Sequence, residues 1–198
     1  MDIINLFPTC IGKFKLGREL TEPEANIIFN QELSNNVGNF KSTDYQVLNI
    51  PELERLKSFF LNCVSEYIEE VYSPKNDLSP YVTQSWTTVT KTYQHHHKHF
   101  HHNSFISGVF YAQTEDGDAI EFYDRPKRFL DIEPKEWTYT NSKSWWVPAV
   151  AGELILFPSD LEHTVNTRLG EKDRVSLAFN TFLKGKICAM DGGAGLEL

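Results

Sequence analysis

Hydrophobic positions along the chain change their period once, near residue 80. Upstream, they recur at helical spacing. In IPELERLKSFFLNCVSEYIEEVYSP, the residues Leu53, Leu56, Phe60, Cys63, Val64, Tyr67, Ile68 and Val71 share one face of a 3.6-residue period, and Pro51 sits at a first-turn position where its missing N–H is no loss. This predicts a long helix with an apolar stripe to bury. LTEPEANIIFNQEL predicts a shorter helix, with Thr21 as N-cap and Glu24 three residues on to complete a capping box. The opening INLFPTCIGKFKL alternates apolar and polar positions around a proline and predicts two short strands. A polar stretch, SNNVGNFKSTDY, separates the helices.

Downstream of residue 80 the chain turns to β-branched and aromatic runs: VTQSWTTVTKTYQ, SFISGVFYAQ, AIEFYD, SWWVPAV, GELILFPS, HTVNT and RVSLAFNTF. Gly, Pro, Asn and Asp punctuate them at short intervals, the pattern of an antiparallel sandwich or barrel. Helices first and strands afterwards give an α+β class, with the early helices covering one face of the sheet. The patterning predicts one domain over residues 1–198: N-terminal support over 1–80, a β core over 81–183, and a loose tail from 184, where CAMDGGAGLEL has little pattern.

Composition narrows the function classes. Hydrophobic residues make up 40% and aromatic residues 13%, which suits a packed core, and a net charge of -8 argues against a broad surface that tracks a phosphate backbone. No nucleic-acid partner is expected. Cys10, Cys63 and Cys188 are odd in number and widely spaced, with no CxxC pair and no leader-like segment ahead of them, so a reducing cytoplasm is expected. No apolar run approaches the roughly 18 residues of a membrane span.

The chemistry is concentrated in one place. Six of the seven histidines lie between His95 and His102, inside the chain and interrupted by Lys98 and Phe100. Neutral imidazole is a strong transition-metal donor, and residues at i and i+2 on a strand point the same way, so His99 with His101, or His95 with His97, can address one ion. A third donor has to come from elsewhere, and the one other histidine is His163, in FPSDLEHTVNT.

HTVNTRLGEKDRVSLAFN reads as a hairpin turning at Gly170 that returns Arg174 beside His163. In the returning strand Arg174, Ser176, Ala178 and Asn180 share one face, and Val175, Leu177 and Phe179 the other. If the apolar face packs on the helices, the arginine looks into the barrel, where a guanidinium needs an anion. The strand supplies no carboxylate, which points to a ligand carboxylate held in bidentate fashion.

The segments HFHHNSFISGVFY and GELILFPSDLEHTVNT...DRVSLAFN together resemble the iron(II)- and 2-oxoglutarate-dependent oxygenases. Within that superfamily they are most similar to a group of bacterial and phage proteins with HxHxNSxxSGVxY, FPSxLxHxV and RxSxxFN motifs. The resemblance is densest over residues 84–181 and extends to the opening LFPTCIG. It implies a double-stranded β-helix, a jelly-roll or cupin-like barrel with the metal at its open mouth, and a hydroxylase using Fe(II) and 2-oxoglutarate on a small-molecule or peptide substrate. It also implies that His163 is the distal metal ligand, and that Arg174 and Ser176 hold the tail carboxylate of 2-oxoglutarate. The superfamily's HxD or HxE is absent here, which leaves three ligand sets open: His99, His101 and His163; His101 and His163 alone, with Asn103 near the vacant position; or a carboxylate from Glu121 or Asp124. The first is favoured, with His95, His96, His97 and His102 as bystanders.

Plainer readings stand beside these. Arg174 could pair with Asp160 or Asp173 at the surface, and the histidines could form a solvated metal-scavenging loop. Trp86, Trp145 and Trp146 are expected to pack the core or line the mouth. NSFISG lacks a GxSxG elbow, which argues against a serine hydrolase. Two rival functions are a cupin-like metal-binding or sensing module and a three-histidine dioxygenase that uses no 2-oxoglutarate. Residues 125–146, aromatic, charged and unpatterned, are the expected seat of substrate choice.

Overall fold

A computed structural model describes residues 1–124, 130, 132–188 and 195–198. Two helices carry the predicted signals. In α1 (Glu22–Phe29) the capping box forms, Glu24 reaching back to the Thr21 N–H at 2.8 Å. Arg18 closes on the buried Glu24 carboxylate at 2.7 Å. The long helix α2 (Glu54–Tyr72) starts three residues later than Pro51, because Pro51–Leu53 winds as a 3-10 turn, following another at Val47–Asn49. It ends at Ser73 in the left-handed conformation.

Among the described residues eleven strands form two sheets: β1 (Gly12–Lys15), β2 (Leu33–Asn35), β3 (Phe40–Ser42), β4 (Leu78–Thr90), β5 (His96–His99), β6 (Ile106–Gln113), β7 (Ala119–Tyr123), β8 (Ser144–Pro148), β9 (Glu153–Pro158), β10 (His163–Val165) and β11 (Arg174–Gly185). The major sheet has the order β1-β9-β6-β11-β4-β3-β2, and the minor sheet β5-β10-β7-β8. Every named pairing is antiparallel. This is the strand arrangement of a double-stranded β-helix, although the two sheets do not close into a continuous barrel.

Alternation along β11 assigns the two faces of the major sheet. Val175, Leu177 and Phe179 enter one apolar cluster with Leu56, Phe60, Val64 and Ile68 of α2, and Phe60 stacks on Phe179 with centroids 5.1 Å apart. The helices therefore cover one face of the sheet, as the patterning predicts. Gly108 lies under that stack; a Cβ there would collide with the Phe179 ring. The opposite face looks toward the minor sheet, where Tyr111, Ile155 and Phe157 meet Ile120, Phe122 and Leu161 in a second, smaller cluster.

Several expectations change. The opening segment holds one strand instead of two: Ile3, Ile4, Leu6 and Phe7 lie exposed and pair with neither sheet. The order is not helices and then strands, because the polar stretch between the helices forms a hairpin, β2–β3, that extends the major sheet at β4. Its turn needs Gly38 at φ +87, and the Gly38 carbonyl accepts the His95 N–H at 3.0 Å, fixing where the histidine segment begins. The predicted hairpin at Gly170 does not form. β10 pairs with β5 and β7 in the minor sheet and β11 with β4 and β6 in the major one, so the segment crosses between sheets. Arg168 anchors that crossing, buried against Glu115 (2.6 Å) and Asp118 (3.2 Å). Of the tail, residues 189–194 lie outside the described residues, but Leu198 exchanges backbone hydrogen bonds with Gly185, so its end is tied down.

Candidate metal centre and anion pocket

Strand register brings the distant histidines together. His163 is directly opposite His99 in the β10–β5 ladder, and their ring centroids are 4.4 Å apart. His101 lies beyond the end of β5, where its N–H donates to the Ser159 carbonyl at 2.8 Å, and this bend, not strand alternation, carries its ring to 5.0 Å from His99 and 5.2 Å from His163. One ligand atom from each of the three lies within 4.8 Å of the others. Three imidazole donors converging on one face suit a first-row divalent ion.

Backbone carbonyls orient two of these rings. His163 Nδ1 is 2.9 Å from the Leu161 carbonyl and His99 Nδ1 is 2.8 Å from that of His97. A carbonyl can only accept, so each Nδ1 carries the proton and each Nε2 keeps its lone pair for an incoming cation. Burial disfavours the imidazolium form at every one of these positions. His163 falls to about 3, through burial and then the neighbouring His99, and His101 to about 4 for the same two reasons. His99 is also lowered, chiefly by burial. Burial thus favours the neutral form of all three rings, the state in which imidazole binds metal. Phe157 packs on His163 at 4.7 Å and Phe122 at 6.1 Å, giving the site apolar walls.

Arg174 is 3% exposed, too buried to be the surface partner of Asp160 or Asp173. Register places Arg174 opposite Thr90, Ser176 opposite Thr88 and Ala178 opposite Trp86, all with side chains on the face turned from α2. The Trp86 ring lies 5.8 Å from His101, so this face looks at the histidines. One guanidinium nitrogen, Nη2, donates to Thr90 Oγ1 at 3.1 Å, whereas Nη1 is buried with no hydrogen-bond partner among the described residues. Burial lowers the arginine's pKa, while Tyr111 and Asp118 oppose the change. A buried guanidinium with an unused donor is costly unless an anion completes it.

Other candidates are placed elsewhere. Glu121 is on the outer face of β7: its neighbour Phe122 packs inward on His163, while Glu121 accepts from Ser144 Oγ at 2.6 Å and Tyr123 Oη at 3.0 Å. These contacts hold it as a carboxylate below its usual pKa despite burial. Asp124 is exposed, and Asn103 is an exposed turn residue at φ 53. Neither joins the histidine group. Residues 125–129 and 131 of the expected substrate loop lie outside the described residues, and the rest includes β8, with Trp137, Trp145 and Trp146 lining an open cleft of about 430 Å³.

Residues 84–180 match the family model described as "Putative 2OG-Fe(II) oxygenase". Over that span, just under half of its length, the chain is similar to the 2OG-Fe(II) oxygenases. Solved oxygenases share its fold at low identity. HygX from Streptomyces hygroscopicus, with nickel, 2-oxoglutarate and hygromycin B bound, aligns at TM-score 0.60 and 12% identity, covering 87% of this chain and 82% of that one. A Pseudomonas putida prolyl-4-hydroxylase aligns at TM-score 0.54 and 13% identity over 87% and 92% of the two chains. A 2OG-Fe(II) oxygenase family oxidoreductase from Burkholderia pseudomallei gives TM-score 0.54 and 13% identity over 78% and 73%. No curated protein matches the chain.

The rings of His96 and His97, expected to be bystanders, sit beside His99, at 4.5 and 4.8 Å. His97 is two residues from His99 on one strand, whereas His96 comes there through a bulge. His163 pairs with His99 and Val165 with His96, so three steps along β5 oppose two along β10, which turns His96 to the same side as His99.

Proposed function

We propose that the chain is a single-domain Fe(II)- and 2-oxoglutarate-dependent hydroxylase in which His99, His101 and His163 hold the metal and Arg174 with Ser176 holds the distal carboxylate of 2-oxoglutarate. The observation that carries this reading is the buried Arg174 guanidinium, on the histidine side of β11, with one donor unused. A cupin-like module with no cosubstrate has no need of a buried cation there. Iron(II) with 2-oxoglutarate supplies oxidation of a substrate C–H bond by dioxygen, the keto acid leaving as succinate and carbon dioxide. The chain's own residues orient and shield. The Leu161 and His97 carbonyls fix the ring tautomers, Arg174 neutralises the incoming carboxylate, and Phe122, Phe157 and Trp86 keep apolar surface against the centre and exclude water.

The substrate class is a small molecule or a peptide, by analogy with hygromycin B in HygX and the prolyl hydroxylase. The charge of -8 opposes a nucleic-acid substrate, and no helix among the described residues is long and apolar enough to cross a membrane. Three free cysteines support a reducing, cytoplasmic setting. Anaerobic addition of Fe(II) and then 2-oxoglutarate to the folded protein is expected to produce the visible charge-transfer band of the chelate; no band in iron-loaded protein overturns the reading. A second reading, a three-histidine dioxygenase without cosubstrate, draws on the lack of a carboxylate in the triad. It predicts oxygen consumption that is independent of 2-oxoglutarate and unaffected by Arg174→Ala.

A further inference from the structure

We infer a second cation position in the same cluster, formed by His96, His97 and His99, which competes with the proposed triad for His99. One ligand atom from each of these three residues lies within 4.8 Å of the others, the same closeness as in the first group. Two further observations point to a ligand. His97 Nδ1 is buried and has no hydrogen-bond partner among the described residues, so its lone pair or proton is unspent. His96 Nε2 is 3.4 Å from the Asn36 side-chain amide nitrogen. An amide nitrogen only donates, so Nε2 of His96 carries a lone pair that this long contact barely engages. The bulge in β5 supplies the geometry, since it turns His96 to the side of His99 and His163 where a regular strand would send it away.

The two positions exclude one another. His99 Nδ1 is committed to the His97 carbonyl at 2.8 Å, which leaves one ring nitrogen, Nε2, for either group. The chain therefore takes one ion at a time, and an ion at the second position withdraws His99 from the first. The ligands fit a borderline first-row divalent cation such as cobalt, nickel or zinc, which accepts an imidazole-only set. The second position is thus an inhibitory, storage-like one beside the proposed iron centre. The inference rests on the reading of His99, His101 and His163 as the first site, but its test is separate.

Cobalt(II) is the probe, titrated anaerobically into metal-free protein and followed by calorimetry and by its visible d–d absorption, with circular dichroism confirming that each variant is folded. Wild type is expected to bind one equivalent. His101→Gln, and separately His97→Gln, retain one equivalent within about tenfold of the wild-type affinity, whereas the double variant and His99→Gln lose at least about a hundredfold. His101→Gln and the wild type should also differ in d–d spectrum, because different rings surround the ion. Loss of cobalt binding in folded His101→Gln overturns the second position, as does binding of two equivalents by wild type. Failure of the proposed oxygenase would show instead as no chelate band in wild type, whatever cobalt does.

Discussion

Replacing Arg174 by methionine removes the guanidinium while keeping most of the side chain's volume. In the proposed complex Nη1, now without a partner, and the remaining guanidinium edge meet a carboxylate at a position that is itself buried. Hydrogen bonds to charged groups contribute about 1.5–3 kcal/mol each, and truncating one member of a buried charge pair costs about 2–5 kcal/mol. At 1.4 kcal/mol per factor of ten, the variant's affinity for 2-oxoglutarate should fall roughly 30-fold to several thousandfold. Metal affinity should barely move, since the triad's carbonyl partners, Leu161 and His97, are untouched. The assay is anaerobic titration of the Fe(II) protein with 2-oxoglutarate at the chelate band, alongside a separate metal titration. The same change should leave the ligand-free protein as stable as wild type or more so, because it deletes a buried charge that lacks an anion. Cosubstrate affinity within about threefold of wild type in folded, iron-loaded protein would refute the assignment of Arg174, since one lost charged hydrogen bond alone should exceed that.

Three further outcomes test the frame around the site. Metal-free protein should lose stability as the pH drops: an unfolded chain protonates its histidines below about 6.5, whereas folded His163, His101 and His96 resist protonation down to about 3, 4 and 2. The unfolded state then binds more protons, so the urea midpoint should fall between about pH 7 and pH 5, and a flat profile over that window contradicts the burial of these rings. Glu121→Gln should leave cobalt and iron affinity within about twofold, because the carboxylate faces Ser144 and Tyr123 on the outer face of β7; a large loss restores it as a ligand. Gly108→Ala should destabilise by about 1–3 kcal/mol in denaturant titration, since the new Cβ meets the Phe179 ring under the Phe60 stack, and a neutral result would mean the helix–sheet packing is looser than described.

What the sequence alone determined is what local periodicity encodes. The apolar stripe of α2 and the alternation of Val175, Leu177 and Phe179 against Arg174, Ser176 and Ala178 each depend only on side-chain spacing along one element, and they correctly gave an α+β fold with a polar strand face turned from the helices. Which strands pair is a long-range matter. The crossing between β10 and β11 looked like a hairpin because turn residues separate two strand-like runs, but Arg168 with Glu115 and Asp118 holds that segment as a bridge between sheets. A bulge is likewise invisible to a period-two count, since it exists only relative to the partner strand, and so the side on which His96 lies, next to His99, is not legible in the sequence. The meeting of His99, His101 and His163, and the burial that favours their neutral form beside an arginine with an unspent donor, was decided by tertiary structure, because register and desolvation belong to the assembled sheets and to no single segment.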